Sequence, residues 1–234
     1  MNKDVIIACD FENKAELLGF LKKIKTKKLF LKIGMELFYR EGPEIINFLK
    51  DLGHRIFLDL KLCDIPNTVK SAVFNLTKLN IDMITVHAFG SKAMIESAKD
   101  GLLRSSREIL LIVVTILTSI SDEILKKELM IKYSLKKTVL NYAKEARKSG
   151  ADGVVCSVHE AKEIKRLGFE NFLCVTPGIR YKKQKDDQMR TATPIEAKKS
   201  GSDFIVVGRP ITRSKYPILM YEKIYKDFLG ENHE

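Results

Sequence analysis

The sequence predicts one (β/α)8 barrel domain spanning residues 1–234, with its active site at the C-terminal ends of the strands. Three observations carry that expectation. Eight short apolar runs rich in β-branched residues recur along the chain; longer amphipathic stretches separate them; and the length falls slightly under the roughly 250 residues typical of such barrels. A doubly wound open sheet is the main rival. Against it, Asp10-Phe11-Glu12-Asn13 follows the first run where a Gly-rich dinucleotide loop would stand, and the chain has no Walker A sequence. Hydrophobic residues at 45% and charged residues at 30% supply enough apolar surface to offset chain ordering, which excludes disordered, collagenous and cysteine-scaffold classes.

In chain order, the candidate strands are Val5 to Cys9, Leu29 to Ile33, Ile56 to Leu60, Met83 to Val86, Leu110 to Leu117, Gly153 to Cys156, Phe172 to Val175 and Phe204 to Val207. Each is bounded by Gly, Asp or Pro, residues that stop a ladder. Helical spacing of apolar positions predicts Lys14 to Ile24, Glu44 to Leu52, Val69 to Leu79, Lys92 to Leu103, Leu135 to Lys148, Ala161 to Leu167, Pro194 to Ser200 and a closing Pro217 to Leu229. Glu36 reads as the start of a further helix. The interval from Thr118 to Leu135 fits a short helix or a loop. The connection from Pro177 to Thr193 is polar and lies past strand seven, where a loop can close over a ligand.

Lysine and arginine total 41 against 30 acidic residues, a net charge of +11. The lysines are spread along the chain and alternate with apolar positions at helical spacing. They read as solvated helix faces and not as a nucleic-acid surface, while the positive field attracts a small phosphorylated substrate. The longest strongly apolar stretch, Ile109 to Leu117, is too short for a membrane span, and Met1 to Asp10 lacks the features of a secretory leader. Cys9, Cys63, Cys156 and Cys174 have no CxxC spacing and read as reduced, mostly buried thiols, so a cytoplasmic location is expected.

Polar residues at the ends of buried strands point to chemistry. In Arg55-Ile-Phe-Leu-Asp59-Leu-Lys61, alternation puts Asp59 and Lys61 on one face, and burying either charge alone is costly. Asp10 ends the first strand and Lys32 the second, so three adjacent strands deliver four charges to one rim. By itself, Asp64 reads as a turn acceptor ahead of Pro66. Thr176-Pro177-Gly178-Ile179-Arg180 and Val207-Gly208-Arg209-Pro210 follow strands seven and eight, the usual phosphate loops of a barrel, where backbone N–H groups and arginine forks hold an anion. His87 ends strand four and reads as a packed residue. The remaining histidines lack metal-ligand spacing, so no metal is expected.

Asp59-Leu-Lys61-Leu-Cys-Asp64-Ile-Pro66-Asn67-Thr68 resembles the D-x-K-x-x-D-I-P-N-T signature of the orotidine 5′-phosphate decarboxylase family. The resemblance covers essentially the whole chain, through Asp10, Lys32, His87-Ala88, Leu117-Thr118-Ser119, Thr176 to Arg180, Asp187-Gln188 and Val207 to Pro210. It implies conversion of orotidine 5′-monophosphate to UMP and CO₂, the last step of de novo UMP synthesis, with no cofactor of any kind. In that resemblance Lys61 protonates C6, Asp59 lies by the substrate carboxylate, and Lys32 and Asp64 complete the charged array. Asp10 and Lys32 hold the ribose, Thr118 or Ser119 meets the pyrimidine, and Gln188 bridges pyrimidine and phosphate. Arg209, Gly208, Arg180 and the Pro177 loop serve the phosphate. The family also implies a homodimer in which Asp64 and Thr68 cross to the partner's cavity. The enzyme alternative is a Mg²⁺-dependent sugar-phosphate decarboxylase or aldolase of the same superfamily; a phosphoribosyl-ligand or RNA-binding barrel is the non-enzyme alternative.

Overall fold

The computed structural model describes residues 3–24, 28–181 and 190–230. Eight parallel strands close in sequence order, with β1 (Asp4–Ala8) pairing both β2 (Phe30–Gly34) and β8 (Phe204–Val207). Between them run β3 (Arg55–Leu62), β4 (Met83–His87), β5 (Leu110–Val114), β6 (Gly153–Val155) and β7 (Leu173–Thr176). Period two sorts each strand's side chains. Ile6, Phe30, Phe57, Met83, Ile112, Val175 and Phe204 fill the barrel, while Ile7, Leu31, Leu58, Ile84, Val113, Cys174 and Ile205 face the helices. None of the helices among the described residues is long and apolar enough to cross a membrane.

The helices are α1 (Lys14–Lys23), α2 (Met35–Glu41), α3 (Glu44–Asp51), α4 (Pro66–Leu76), α5 (Ser91–Leu103), α6 (Asp122–Lys127), α7 (Leu135–Lys148), α8 (Val158–Lys165), α9 (Pro194–Lys199), α10 (Arg209–Thr212) and α11 (Pro217–Leu229). Three boundaries depart from the expectation by three residues. Strand β5 stops at Val114, just past which the Thr115 N–H and hydroxyl both donate to the Val155 carbonyl of β6, although the apolar run continues to Leu117. Helix α8 starts three residues before Ala161, where Ser157 and Glu160 form a capping box and the Ser157 N–H donates to Glu160 Oε2 at 2.8 Å. Helix α4 starts at Pro66, whose fixed φ suits a first turn, and a 3₁₀ turn at Thr77–Leu79 ends the predicted Val69 to Leu79 stretch.

A repeated device closes the barrel floor, opposite the loops after the strands. Asp82, Asp152 and Asp203 each stand just before an even-numbered strand. Their carboxylates accept from the N–H of Ile56, Leu111 and Cys174 on the preceding strand, at 2.7, 2.8 and 2.7 Å. Lys50, Lys99 and Lys165 from the surrounding helices pair with the same carboxylates at 2.9, 2.9 and 2.6 Å. The sequence repeats accordingly, as Asn80-Ile81-Asp82, Gly150-Ala151-Asp152 and Gly201-Ser202-Asp203. Part of the lysine excess therefore serves the fold.

Candidate active site

The irregular end of β3 builds the centre of the site. Its register with β4 runs Phe57 to Met83 and Leu58 to Ile84, then resumes at Leu62 with Val86. Three residues, Asp59 to Lys61, thus lie opposite the single residue Thr85, and Lys61 takes a φ of +52° in the left-handed region. Simple alternation predicts the right pair of side chains on one face, but the bulge is what sets their geometry. Lys61 Nζ comes to 2.8 Å from Asp59 Oδ2.

The neighbouring strands extend this pair into an alternating row. Lys32 Nζ lies 3.5 Å from Asp59 Oδ2 and 2.9 Å from Asp10 Oδ1, so the order is Asp10, Lys32, Asp59, Lys61. The row is most deeply buried in its middle: the Asp59 side chain is 9% exposed, and that of Asp10, at the outer end, is 57% exposed. Gly34 makes room for the row, since a Cβ there would stand 3.2 Å from Lys32 Nζ and 3.3 Å from Asp10 Oδ1. Burial alone would push the Asp59 carboxyl up. The Lys32 and Lys61 charges and the Lys61 and Thr85 hydrogen bonds outweigh it and hold the carboxyl below its ordinary range. Burial likewise works to lower the Lys32 value, but Asp59 and Asp10 overcome it and raise the ammonium above its usual pKa. Both groups are fixed in their charged forms.

Two nearby groups are removed from the chemistry. Burial pushes the Cys9 thiol far up, which keeps it protonated. Burial and the Lys61 charge lower His87, whose Nδ1 accepts from the Phe89 N–H at 3.2 Å while its ring stacks on Phe89 at 4.9 Å. Histidine here is a neutral packed residue.

A cleft of about 660 Å³ opens above the charged row. Asp10, Lys32, Asp59 and Lys61 line one side. Thr118, Ser119, Pro177, Arg180, Gly208 and Arg209 line the rest, so strands β5, β7 and β8 deliver the second half of the predicted set. Phe57, Val114, Val155 and Val206 form its apolar floor, which lowers the local dielectric around the row. Asp64 and Thr68 are exposed and stand outside this cleft; Asp64 Oδ1 accepts from the Ile65 N–H at 2.6 Å. Gln188 lies outside the described residues.

Arg180 is buried, and its Nη1 donates to the Ile179 carbonyl at 2.8 Å. Its N–H donates to Ala192 O at 2.9 Å, and the Ala192 N–H donates to Gly178 O at 3.1 Å, which joins the two ends of the connection after β7. Arg190, beyond that connection, pairs with Glu160 and donates from Nη2 to the Leu117 carbonyl at 3.1 Å. It therefore braces the segment that carries Thr118 and Ser119. Arg190, Glu160, Thr85 and the rim residue Arg213 are not among the predicted site residues. For Glu160 the Ser-x-x-Glu capping spacing was a legible signal; Thr85 gives none without knowledge of the β3–β4 register.

The chain's relatives bear on the same arrangement. The family profile described as orotidine 5′-phosphate decarboxylase / HUMPS family matches residues 3–224. A protein of Geobacillus sp. (strain WCH70) named orotidine 5′-phosphate decarboxylase is 49% identical over 236 residues, covering 99% of this chain and 99% of its own. One of the same name from Staphylococcus saprophyticus is 51% identical over 226 residues, covering 96% and 98%. The crystal structure of orotidine 5′-phosphate decarboxylase from Lactobacillus acidophilus aligns with a TM-score of 0.88 at 45% identity, covering 97% of this chain and 99% of that one. With an eight-stranded closed barrel, a charged row at the mouth and relatives matched along nearly their whole length, the chain belongs to the orotidine 5′-phosphate decarboxylase / HUMPS family.

Proposed function

We propose that the protein converts orotidine 5′-monophosphate to UMP and CO₂ in pyrimidine biosynthesis, with neither metal nor organic cofactor, and that Lys61 protonates C6. The observation that carries this reading is the Asp10, Lys32, Asp59, Lys61 row at the cleft wall. Breaking the C6–carboxylate bond releases CO₂ and leaves the electron pair in the plane of the ring, where no carbonyl acts as an ordinary sink. An ammonium held at that carbon stabilises the developing charge and then donates its proton to it. The fixed Asp59 carboxylate holds Lys61 in its place before the reaction begins, at the position where the substrate carboxylate would sit.

The binding roles follow the two halves of the cleft. Asp10 and Lys32 take the ribose hydroxyls, and Thr118 or Ser119 takes the pyrimidine edge. Arg209 and the N–H groups about Gly208 take the phosphate, helped by Arg180 and the turn at Pro177. Gln188 spans pyrimidine and phosphate. In a homodimer, Asp64 and Thr68 reach the partner's cleft, and their exposure outside their own is what supports that assignment. Lysine pairing also weighs against the metal-dependent alternative: Lys32 pairs with both Asp10 and Asp59, and Lys61 is a second cation on Asp59.

Ultraviolet absorbance of orotidine 5′-monophosphate after exhaustive chelation with EDTA tests the reading. Turnover should be rapid and unaffected by the chelator, and the dephosphorylated nucleoside should react at least roughly 10³-fold less efficiently, since phosphate binding supplies energy remote from the reacting carbon. Loss of activity on chelation, or equal efficiency with both substrates, overturns it.

A further inference from the structure

Thr85 is fully buried on β4, and its hydroxyl has two partners in the catalytic strand. It accepts from the Lys61 N–H at 2.9 Å and donates to Asp59 Oδ1 at 3.0 Å. Both bonds arise from the bulge. In a regular parallel ladder alternation would turn the Lys61 N–H towards β2, as it turns the Arg55 N–H to the Leu29 carbonyl, but here three residues of β3 face one of β4, and the Lys61 N–H turns to β4 and meets a side chain. Lys61 meanwhile holds a φ of +52°, which a non-glycine residue keeps only when its surroundings impose it.

We infer that Thr85 is a positioning residue for the decarboxylation, aligning the backbone of Lys61 and the carboxylate plane of Asp59 through one hydroxyl. The inference rests on the role proposed above for Lys61. The division of Asp59 supports it. Oδ2 faces Lys61 at 2.8 Å and Lys32 at 3.5 Å, while Oδ1 takes the Thr85 hydroxyl, so the threonine sets the rotation that presents Oδ2 to both ammonium groups. Without that hydroxyl a buried N–H and a buried carboxylate oxygen each lose a partner, and the carboxylate becomes free to turn. Nothing at Thr85 lines the cleft, so the effect falls on the rate and not on substrate binding.

The experiment compares Thr85→Val, which keeps the shape and loses the hydroxyl, with Thr85→Ser and Thr85→Ala, which both lose the methyl and differ only in the hydroxyl. Thr85→Val and Thr85→Ala should lower kcat by ~10²-fold, the scale of a misplaced catalytic group. Their KM for orotidine 5′-monophosphate and Kd for UMP should stay within about threefold of the parent, and Thr85→Ser should keep kcat within about fivefold. The Ser and Ala pair decides the question even if Thr85→Val does not fold. Equal losses in Ser and Ala, losses expressed in KM alone, or parent-like kcat in Val and Ala would overturn the inference. Lys61→Ala, assayed beside them, separates the two layers. An active Lys61→Ala refutes the proposed proton donor, whereas an inactive Lys61→Ala with fully active Thr85→Val refutes the positioning role alone.

Discussion

Asp59 sits between two ammonium groups with its side chain 9% exposed, so its charge stabilises the fold as well as the site. Replacing it by Asn takes the carboxylate from between Lys32 and Lys61 and leaves Lys32 with Asp10 alone. Asp59→Asn should cost about 2–3 kcal/mol at neutral pH, a buried-pair penalty reduced because Lys61 is partly exposed. The pH dependence follows from the direction of its shift. A carboxyl held below its ordinary value of 3.8 contributes its full stabilisation above that value and loses it as pH falls through the lower folded value. The melting-temperature gap between parent and variant should therefore stay constant from about pH 7 to pH 5; a gap that closes in that interval contradicts the assignment. At this scale Asp10, Lys32, Asp59 and Lys61 were legible, because unpaired charges at the ends of apolar strands stand out against their surroundings. The left-handed backbone at Lys61 was not, since nothing local to a lysine announces a bulge. Thr85 was equally hidden in Met-Ile-Thr-Val-His, where a threonine reads as one more β-branched strand residue.

At the scale of elements, the same periodicity that located eight strands also located most helices, and the departures have local causes. The Ser157–Glu160 box, which lies outside the hydrophobic period, set the start of α8, and β5 ends at Val114 although its apolar run continues to Leu117. Helix α2 is one short amphipathic segment between β2 and α3; Glu36 in its first turn marked it, but seven residues give too little pattern to bound it. The aspartates before β4, β6 and β8 show a repeat that apolar patterning passes over, because their work is done across strands. Each replaces a ladder partner for one N–H and holds one lysine. Asp152→Ala should lower stability by about 1.5–3 kcal/mol in urea denaturation, the range for a hydrogen bond to a charged group. Turnover at 25 °C should be unchanged, since Asp152 lies at the floor of the barrel. A variant as stable as the parent would show that the Lys99 and Leu111 bonds add nothing to the folded state.

In the whole molecule, closure of the sheet from β1 to β8 brings residues distant in sequence, Lys61 and Arg209 among them, to one cleft. Alternation of strands and helices made that closure legible, and it accounts for why ten of the predicted residues share the cleft. Asp64 and Thr68 do not, although Asp64 lies three residues from Lys61. The chain leaves the barrel mouth after Leu62 and enters α4 through Pro66, carrying both side chains to the surface beside Ile65, which is 68% exposed. The proposed two-fold dimer assigns each Asp64 to the opposite Lys61, and a mixing experiment tests this together with the catalytic assignment. Asp64→Ala and Lys61→Ala homodimers should each be nearly inactive toward orotidine 5′-monophosphate. Equal amounts combined under subunit exchange place both substitutions in one cleft of every heterodimer and leave the other cleft intact, so activity should recover to about 25% of the parent protein. Absence of recovery with heterodimers confirmed by mass spectrometry would contradict a cleft completed by Asp64 of the neighbouring chain.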